Sequence, residues 1–200
     1  MFLEGVYMGH EVWALLSIFI KLFIYAPYVL GVLKGKFVPH SFSWMVFFSL
    51  DFIGFLVQFY NGAGMGAFPT LAGALLCFLI MALGFYKGNQ DIRRCDFIAL
   101  VSAFSLLPLW YLANSSLLVL LIVMIIGIVG SFPTWRKVTD KPNEESSLLF
   151  FLIGASALVS MFSIDQVMLT TVLYPLFTVI SSCALATYII VRSKTLKVFD

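Results

Sequence analysis

Seven long apolar runs, at about residues 11–33, 42–60, 66–86, 96–113, 115–131, 147–164 and 167–191, fix the solvent in which this chain folds. Each is close to the roughly 20 residues that a helix needs to cross the hydrocarbon of a bilayer. The runs are continuously apolar, which predicts helices; strands of a membrane barrel would alternate lipid-facing and lumen-facing residues. With 62% hydrophobic and 11% charged residues in a chain of 200, and a mean hydropathy of +1.03, a soluble globule of this size could not hide its apolar side chains. The lipid bilayer is the first expected partner, and an integral, multi-pass protein of a plasma or inner membrane is the expected location.

The basic residues predict the topology. All 12 Lys and Arg except Lys21 fall in four short segments, 34–36, 87–94, 136–141 and 192–197, while the polar breaks near Asn61, Asn114 and Asp165 contain none. Basic loops stay cytoplasmic, so seven crossings keep all four segments on one face, with the N-terminus outside and the C-terminus inside. Little more than Asn114, Ser115 and Ser116 separates the fourth run from the fifth. The charges argue for a tight helical hairpin there, because removing one crossing would send the later basic segments to the other face. The opening residues have no positive n-region and no small-residue cleavage site, so the first run is expected to be a retained helix.

Several function classes find no support. A net charge of +2, with its basic residues explained by topology, gives no reason for a nucleic-acid partner. Cys77 and Cys183 lie in apolar runs and Cys95 beside a basic loop, a pattern that suggests neither a disulfide nor a metal site. His10 lies before the first run and His40 in a basic-side loop, and neither has a cysteine or carboxylate cluster at ligand spacing. There is no phosphate-binding glycine loop and no serine nucleophile elbow. The expectation is a protein that is no enzyme, with no catalytic residue, metal or cofactor; without an ATP-binding motif, any transport would be passive or ion-coupled.

Two dipeptides recur at a constant offset. Ala26-Pro27 in the first helix matches Phe132-Pro133 after the fifth, and Phe68-Pro69 in the third matches Tyr174-Pro175 in the seventh; both pairs of prolines are 106 residues apart. Cys77 and Cys183 share that offset, and Pro39 and Pro142, 103 apart, share it across a short loop gap. These matches predict two copies of a three-helix unit, residues 1–94 and 114–200, joined by a linker helix over residues 95–113. Three helices plus one linker give both units the same orientation, related by an axis along the membrane normal. The expected fold class is therefore an all-α integral membrane protein of seven transmembrane helices arranged 3+1+3.

The stretch YAPYVLGVLKGKFVPHSFSW puts a proline late in the first helix, basic residues at its exit, then a serine and a large aromatic at the start of the second. SFPTWRKVTDKPNEESS repeats that order loosely in the second half. In these features the chain resembles the PQ-loop and SWEET transporter superfamily, although Tyr28 and Thr134 stand where its motif carries glutamine. The resemblance implies the 3+1+3 fold and a midplane cavity between the units lined by the third and seventh helices, with Gly73 and Cys77 facing Ser181 and Cys183. It also implies a hinge role for Pro27, Pro69, Pro133 and Pro175. A proline inside a helix removes one backbone hydrogen bond and bends the helix, so static kinks are the alternative reading.

Lys21 lies about ten residues into the first run and Asp51 about ten into the second, so antiparallel helices bring both near the bilayer midplane. A lone charge there costs about 2.5 to 3.5 kcal/mol even on a lenient scale. The two are expected to pair or to share a polar cavity, as a coupling element that exchanges a proton with substrate or as a structural lock; Lys21 could also snorkel to an interface. Gln58, Asn61, Trp44, Trp110, Asn114 and Tyr174 are further candidates for a pathway. Ser181 could line it or bond its own helix, and aromatic residues at span ends, Trp13, Trp44, Trp110 and Trp135, are expected mainly as belt anchors.

The functional expectation is a small secondary transporter or facilitator of a polar metabolite, such as a sugar, amino acid or nucleoside, working by alternating access and open to proton coupling. The alternatives are a membrane receptor of the same fold and a scaffold subunit of a larger complex. The chain could work alone or as a homo-oligomer.

Overall fold

The structure is a computed structural model that describes residues 2–87, 94, 97, 98, 101, 105 and 115–199. It is 88% helix, with no strand among the described residues. Among the described residues the α-helices are α1 (Phe2–Leu33), α2 (Ser41–Tyr60), α3 (Phe68–Lys87), α4 (Ser116–Asp140), α5 (Ser147–Ser160) and α6 (Leu169–Phe199). Five of them, all but α5, are long and apolar enough to cross a membrane. The protein is a helical membrane protein by that length and composition. α5 continues through a 3₁₀ turn, Met161–Ser163, into a shorter apolar rod. The linker helix expected over residues 95–113 falls almost wholly outside the described residues, as do Cys95, Trp110 and Asn114.

Helix bounds differ from the apolar runs where polar residues continue a helix already begun. α1 starts nine residues before its run and so includes His10, and α4 carries on past Ser131 to Asp140, taking Pro133 inside the helix rather than after it. Apolarity marks contact with lipid, whereas the helix itself persists until something ends it. For α1 that something is Gly35, whose φ of 74° suits glycine alone, with the Lys36 amide closing onto Gly31 O at 2.8 Å. Ser115 and Ser146 begin α4 and α5 by accepting the amides of Leu118 and Leu149.

The described basic segments gather at one end of the bundle. There Lys87 donates to Leu33 O, Lys137 to Val38 O, and Arg192 to Thr139 O. The opposite end is tied by His10 to Asp165 at 2.7 Å and by Asn61 to Ser116 at 3.0 Å. It is also tied by the amides of Asp165 and Gln166, which donate to Ala63 O and Gly62 O. Gly62 and Gly64, at φ of 82° and 55°, let the chain turn tightly enough to make those contacts.

Packing follows a paired scheme. α2 lies along α3 and α5 along α6; α1 meets α3 and α4 meets α6; α1 crosses to α5 and α2 crosses to α4. The α2–α4 seam is built from Val46, Leu50, Ile53 and Val57 against Val119, Leu120 and Val123. On the α1–α5 seam Ser17 and Ser156 each donate to the other's carbonyl, at 2.9 and 3.0 Å, which suits helices whose surroundings offer no water. Ala63, Ala67 and Ile164 form a small buried plug at the end away from the basic segments.

Candidate functional site

α1, α2, α3 and α6 bring Lys21, Asp51, Gly73, Cys77 and Tyr174 to one place. The Tyr174 hydroxyl donates to Asp51 Oδ1 at 2.6 Å, and the Cys77 thiol lies 3.8 Å from Asp51 Oδ2. Lys21 is 7% exposed and donates to Pro69 O at 2.5 Å. That carbonyl lies in the first turn of α3. Among the described residues no ion pair joins Lys21 to Asp51; they meet over the bare Cα of Gly73 instead. A Cβ on Gly73 would stand 2.9 Å from Asp51 Oδ2 and 3.0 Å from Lys21 Nζ. Of the two expected arrangements, direct pairing and a shared polar space, the geometry is the second.

Asp51, Tyr174, Tyr25, Thr178 and Ile153 form the partition between two spaces, because each of them lines both. On one side lies a small chamber of about 20 Å³, with Lys21, Thr70, Gly73 and Ser160 in its wall. On the other lies a cavity of about 560 Å³, within the range of small-molecule sites. α2 contributes Trp44 and Phe47 to its wall, α4 Ser131 and Trp135, and α6 Phe177, Ser181 and Ser182. Trp44 opens α2, Trp135 is near the end of α4 and Leu185 is late in α6, so the cavity occupies the half of the bundle toward the basic end. Beyond the small chamber, the opposite end is closed by the Ala63–Ala67–Ile164 plug.

The other expected site residues divide. Ser181 lines the cavity while its hydroxyl bonds Thr178 O at 3.3 Å, so both of its expected roles occur together. Cys183 lines neither space; a Cβ on Gly154 would meet its sulfur at 3.0 Å. Gln58 is wholly buried nearer the other end, accepting from Thr70 at 3.2 Å with its own Nε2 unpartnered, and it lines neither space. Asn61 joins the loop ties described above. Trp44, at 4% exposure, and half-buried Trp135 turn inward to the cavity, which corrects their expected belt role; Trp13, packed on Phe162, keeps an exposed position.

The prolines also divide. Pro27, Pro133 and Pro175 lie inside helices. Pro69 occupies the first turn of α3, directly after the 3₁₀ turn Gly64–Ala67, the helical position at which proline is best tolerated. Pro175 also borders the small chamber, next to Tyr174.

At the basic end, outside the apolar core of the spans, Glu145 is sealed by partners from both halves of the chain. Its side chain is 2% exposed, with Lys137 Nζ at 2.7 Å and the Tyr28 hydroxyl donating at 3.2 Å. Burial pushes the Glu145 carboxyl up from its ordinary value, against the opposing pull of Lys137.

Tyr25, Thr178 and Ser131 are site residues that sequence reasoning passed over. Helical spacing was the available signal: Tyr25 is one turn beyond Lys21, and Thr178 one turn beyond Tyr174. No family model matches this chain, and no curated protein or solved structure is similar to it.

Proposed function

We propose that this protein is a small secondary transporter or facilitator that carries a small metabolite across its membrane by alternating access between two three-helix units, in a 3+1+3 arrangement of seven helices with the basic end cytoplasmic. The carrying observation is a cavity of about 560 Å³ toward one end of the bundle, backed by a midplane carboxylate and tightly closed at the other end. A cavity confined to one half of the bundle and shut off from the other end suits an alternating-access carrier.

Three features support two equivalent units. Exchanging α1 with α4, α2 with α5 and α3 with α6 maps every major helix contact onto another. The residue offset of 106 that relates the prolines also relates His40 and Ser146, which precede α2 and α5, and the cavity residues Trp44 and Phe150. Finally, α3 ends among the basic segments and α4 begins at the opposite end, as a fourth crossing between them requires. The units differ where chemistry would be expected: at the same offset Gly127 and Ala157 stand opposite Lys21 and Asp51. A charged element present in one unit only suits coupling, since a purely architectural pair would serve both copies equally.

The test is uptake by purified protein in sealed liposomes, using a panel of radiolabelled sugars, amino acids, nucleosides and organic amines, with and without a pH gradient. At least one solute is expected to equilibrate faster than in empty vesicles, and Asp51→Asn is expected to remove any response to the gradient. A receptor or a scaffold would leave every vesicle interior unchanged.

A further inference from the structure

The main cavity has an unusual balance of groups. Among the described residues Asp51 is the one Asp, Glu, Lys, Arg or His in its wall. Lys21 sits behind the partition, held on Pro69 O, and faces only the small chamber. Aromatic rings make up a large share of the remaining wall, with Trp44, Phe47, Phe132, Trp135, Phe150 and Phe177 alongside Tyr25 and Tyr174. Ring faces are negative and attract cations, by about 0.5 to 2 kcal/mol each as water is excluded. Asp51 accepts one hydroxyl and one thiol, which leaves its two oxygens further lone pairs for a ligand N–H.

The rim of the cavity adds a second, independent point. Ile128 and Phe132 on α4 and Ile180 on α6 line it, yet they are 62%, 63% and 61% exposed on the outer surface of the bundle. The cavity therefore reaches the apolar flank between α4 and α6, where lipid chains lie. A strongly hydrated solute gains nothing from such a rim, whereas a molecule with an apolar body does.

We propose that this cavity binds an organic cation with an apolar body, its ammonium head against Asp51 and Tyr174 and its body between the aromatic walls. This deepens the transport reading and rests on it for the ligand's passage, while binding can be measured without any flux. An ammonium head of this kind could belong to a free amine or to an aminophospholipid.

Isothermal titration of the purified chain in maltoside micelles, with phenethylammonium and with phenethyl alcohol of nearly the same shape, tests the proposal. The ammonium is expected to bind saturably and about tenfold or more tighter than the alcohol, a margin on the order of 1.4 kcal/mol. Asp51→Asn is expected to erase that margin. Should this variant fail to fold, Trp135→Leu keeps the carboxylate and is expected to weaken the ammonium about threefold more than the alcohol. Equal binding of the two probes, no saturable binding of the ammonium, or an equal loss of both in Trp135→Leu overturns the proposal.

Added phosphatidylethanolamine that competes with the probe assigns the head group to lipid; absence of competition assigns it to a free solute, and either outcome upholds the cation site. Uptake of some other solute without ammonium binding would overturn this proposal and leave transport standing. Ammonium binding without flux of any solute would do the reverse.

Discussion

Gly73 matters for what it lacks. Lys21 and Asp51 reach the same point on α3 because no Cβ stands there, and a methyl would press on Asp51 Oδ2 at 2.9 Å and on Lys21 Nζ at 3.0 Å. Gly73→Ala is therefore expected to lower stability by about 1 to 3 kcal/mol, the usual cost of overpacking. Gly9→Ala, where an added Cβ meets nothing within 4 Å, should be neutral or slightly stabilising. Thermal unfolding of both variants in detergent checks this; equal shifts would mean that the two head groups do not need the bare Cα of Gly73. Glu145 gives a pH signature at the same scale. Its carboxyl is raised above 4.5 by burial, with Lys137 opposing, so the folded chain holds that proton more firmly than the unfolded chain. Its contribution to stability is then full below about pH 4.5 and is lost as pH rises through the higher folded value. Glu145→Gln should remove that part of the fall in apparent melting temperature; an unchanged pH slope would show that the group does not titrate with folding.

At the scale of elements, α6 and α3 use their prolines differently. Pro175 lies inside α6 and forfeits the amide that would reach the carbonyl one turn earlier, while Pro69 lies in the first turn of α3, where proline is best tolerated. Pro175→Ala is expected to raise stability by about 1 to 3 kcal/mol and to slow any transport, whereas Pro69→Ala should change both little. Unfolding and uptake assays on the two variants check the pair, and equal effects would remove the distinction. The existence of these helices was legible in the apolar runs, since only bilayer hydrocarbon explains such lengths. Their ends were less so, because Arg136 and Lys137 continue α4 past its lipid-facing stretch, and only a backbone feature such as Gly35 marks a true stop. Lys21 and Asp51 were legible as neighbours because two mid-span charges on antiparallel helices reach the same depth, and Tyr174 by its place beside Pro175, whereas Gly73 and Cys77 were reached only through the family resemblance. The aromatic walls were not legible. A tryptophan near a span end suits a belt and a cavity equally, although Trp44, Phe47 and Asp51, at spacings of three and four, share one face of α2. The same spacing carries Tyr174, Thr178, Ser181 and Leu185 along α6.

For the whole molecule, the paired packing scheme and the asymmetric polar center carry different consequences. A scheme that exchanges two units of the same orientation maps each end onto itself, so each end closes by contacts of its own. Here the end away from the basic segments is closed by the Ala63–Ala67–Ile164 plug and the Asp165 and Gln166 amides. The basic end carries the bridge from Tyr28 to Glu145 and Lys137. Both sets of contacts are formed together here; alternating access requires that each open in turn, and that can be read without knowing the substrate. Pulsed spin-label distances in liposomes would follow both ends, with one label pair replacing exposed Tyr60 and Val167 and the other replacing exposed Lys36 and Lys141. The account predicts two populations at each end, with the longer distance at one end accompanying the shorter at the other as pH or bound amine is varied. A single narrow distance at both ends under all conditions, or ends that widen together, would contradict it.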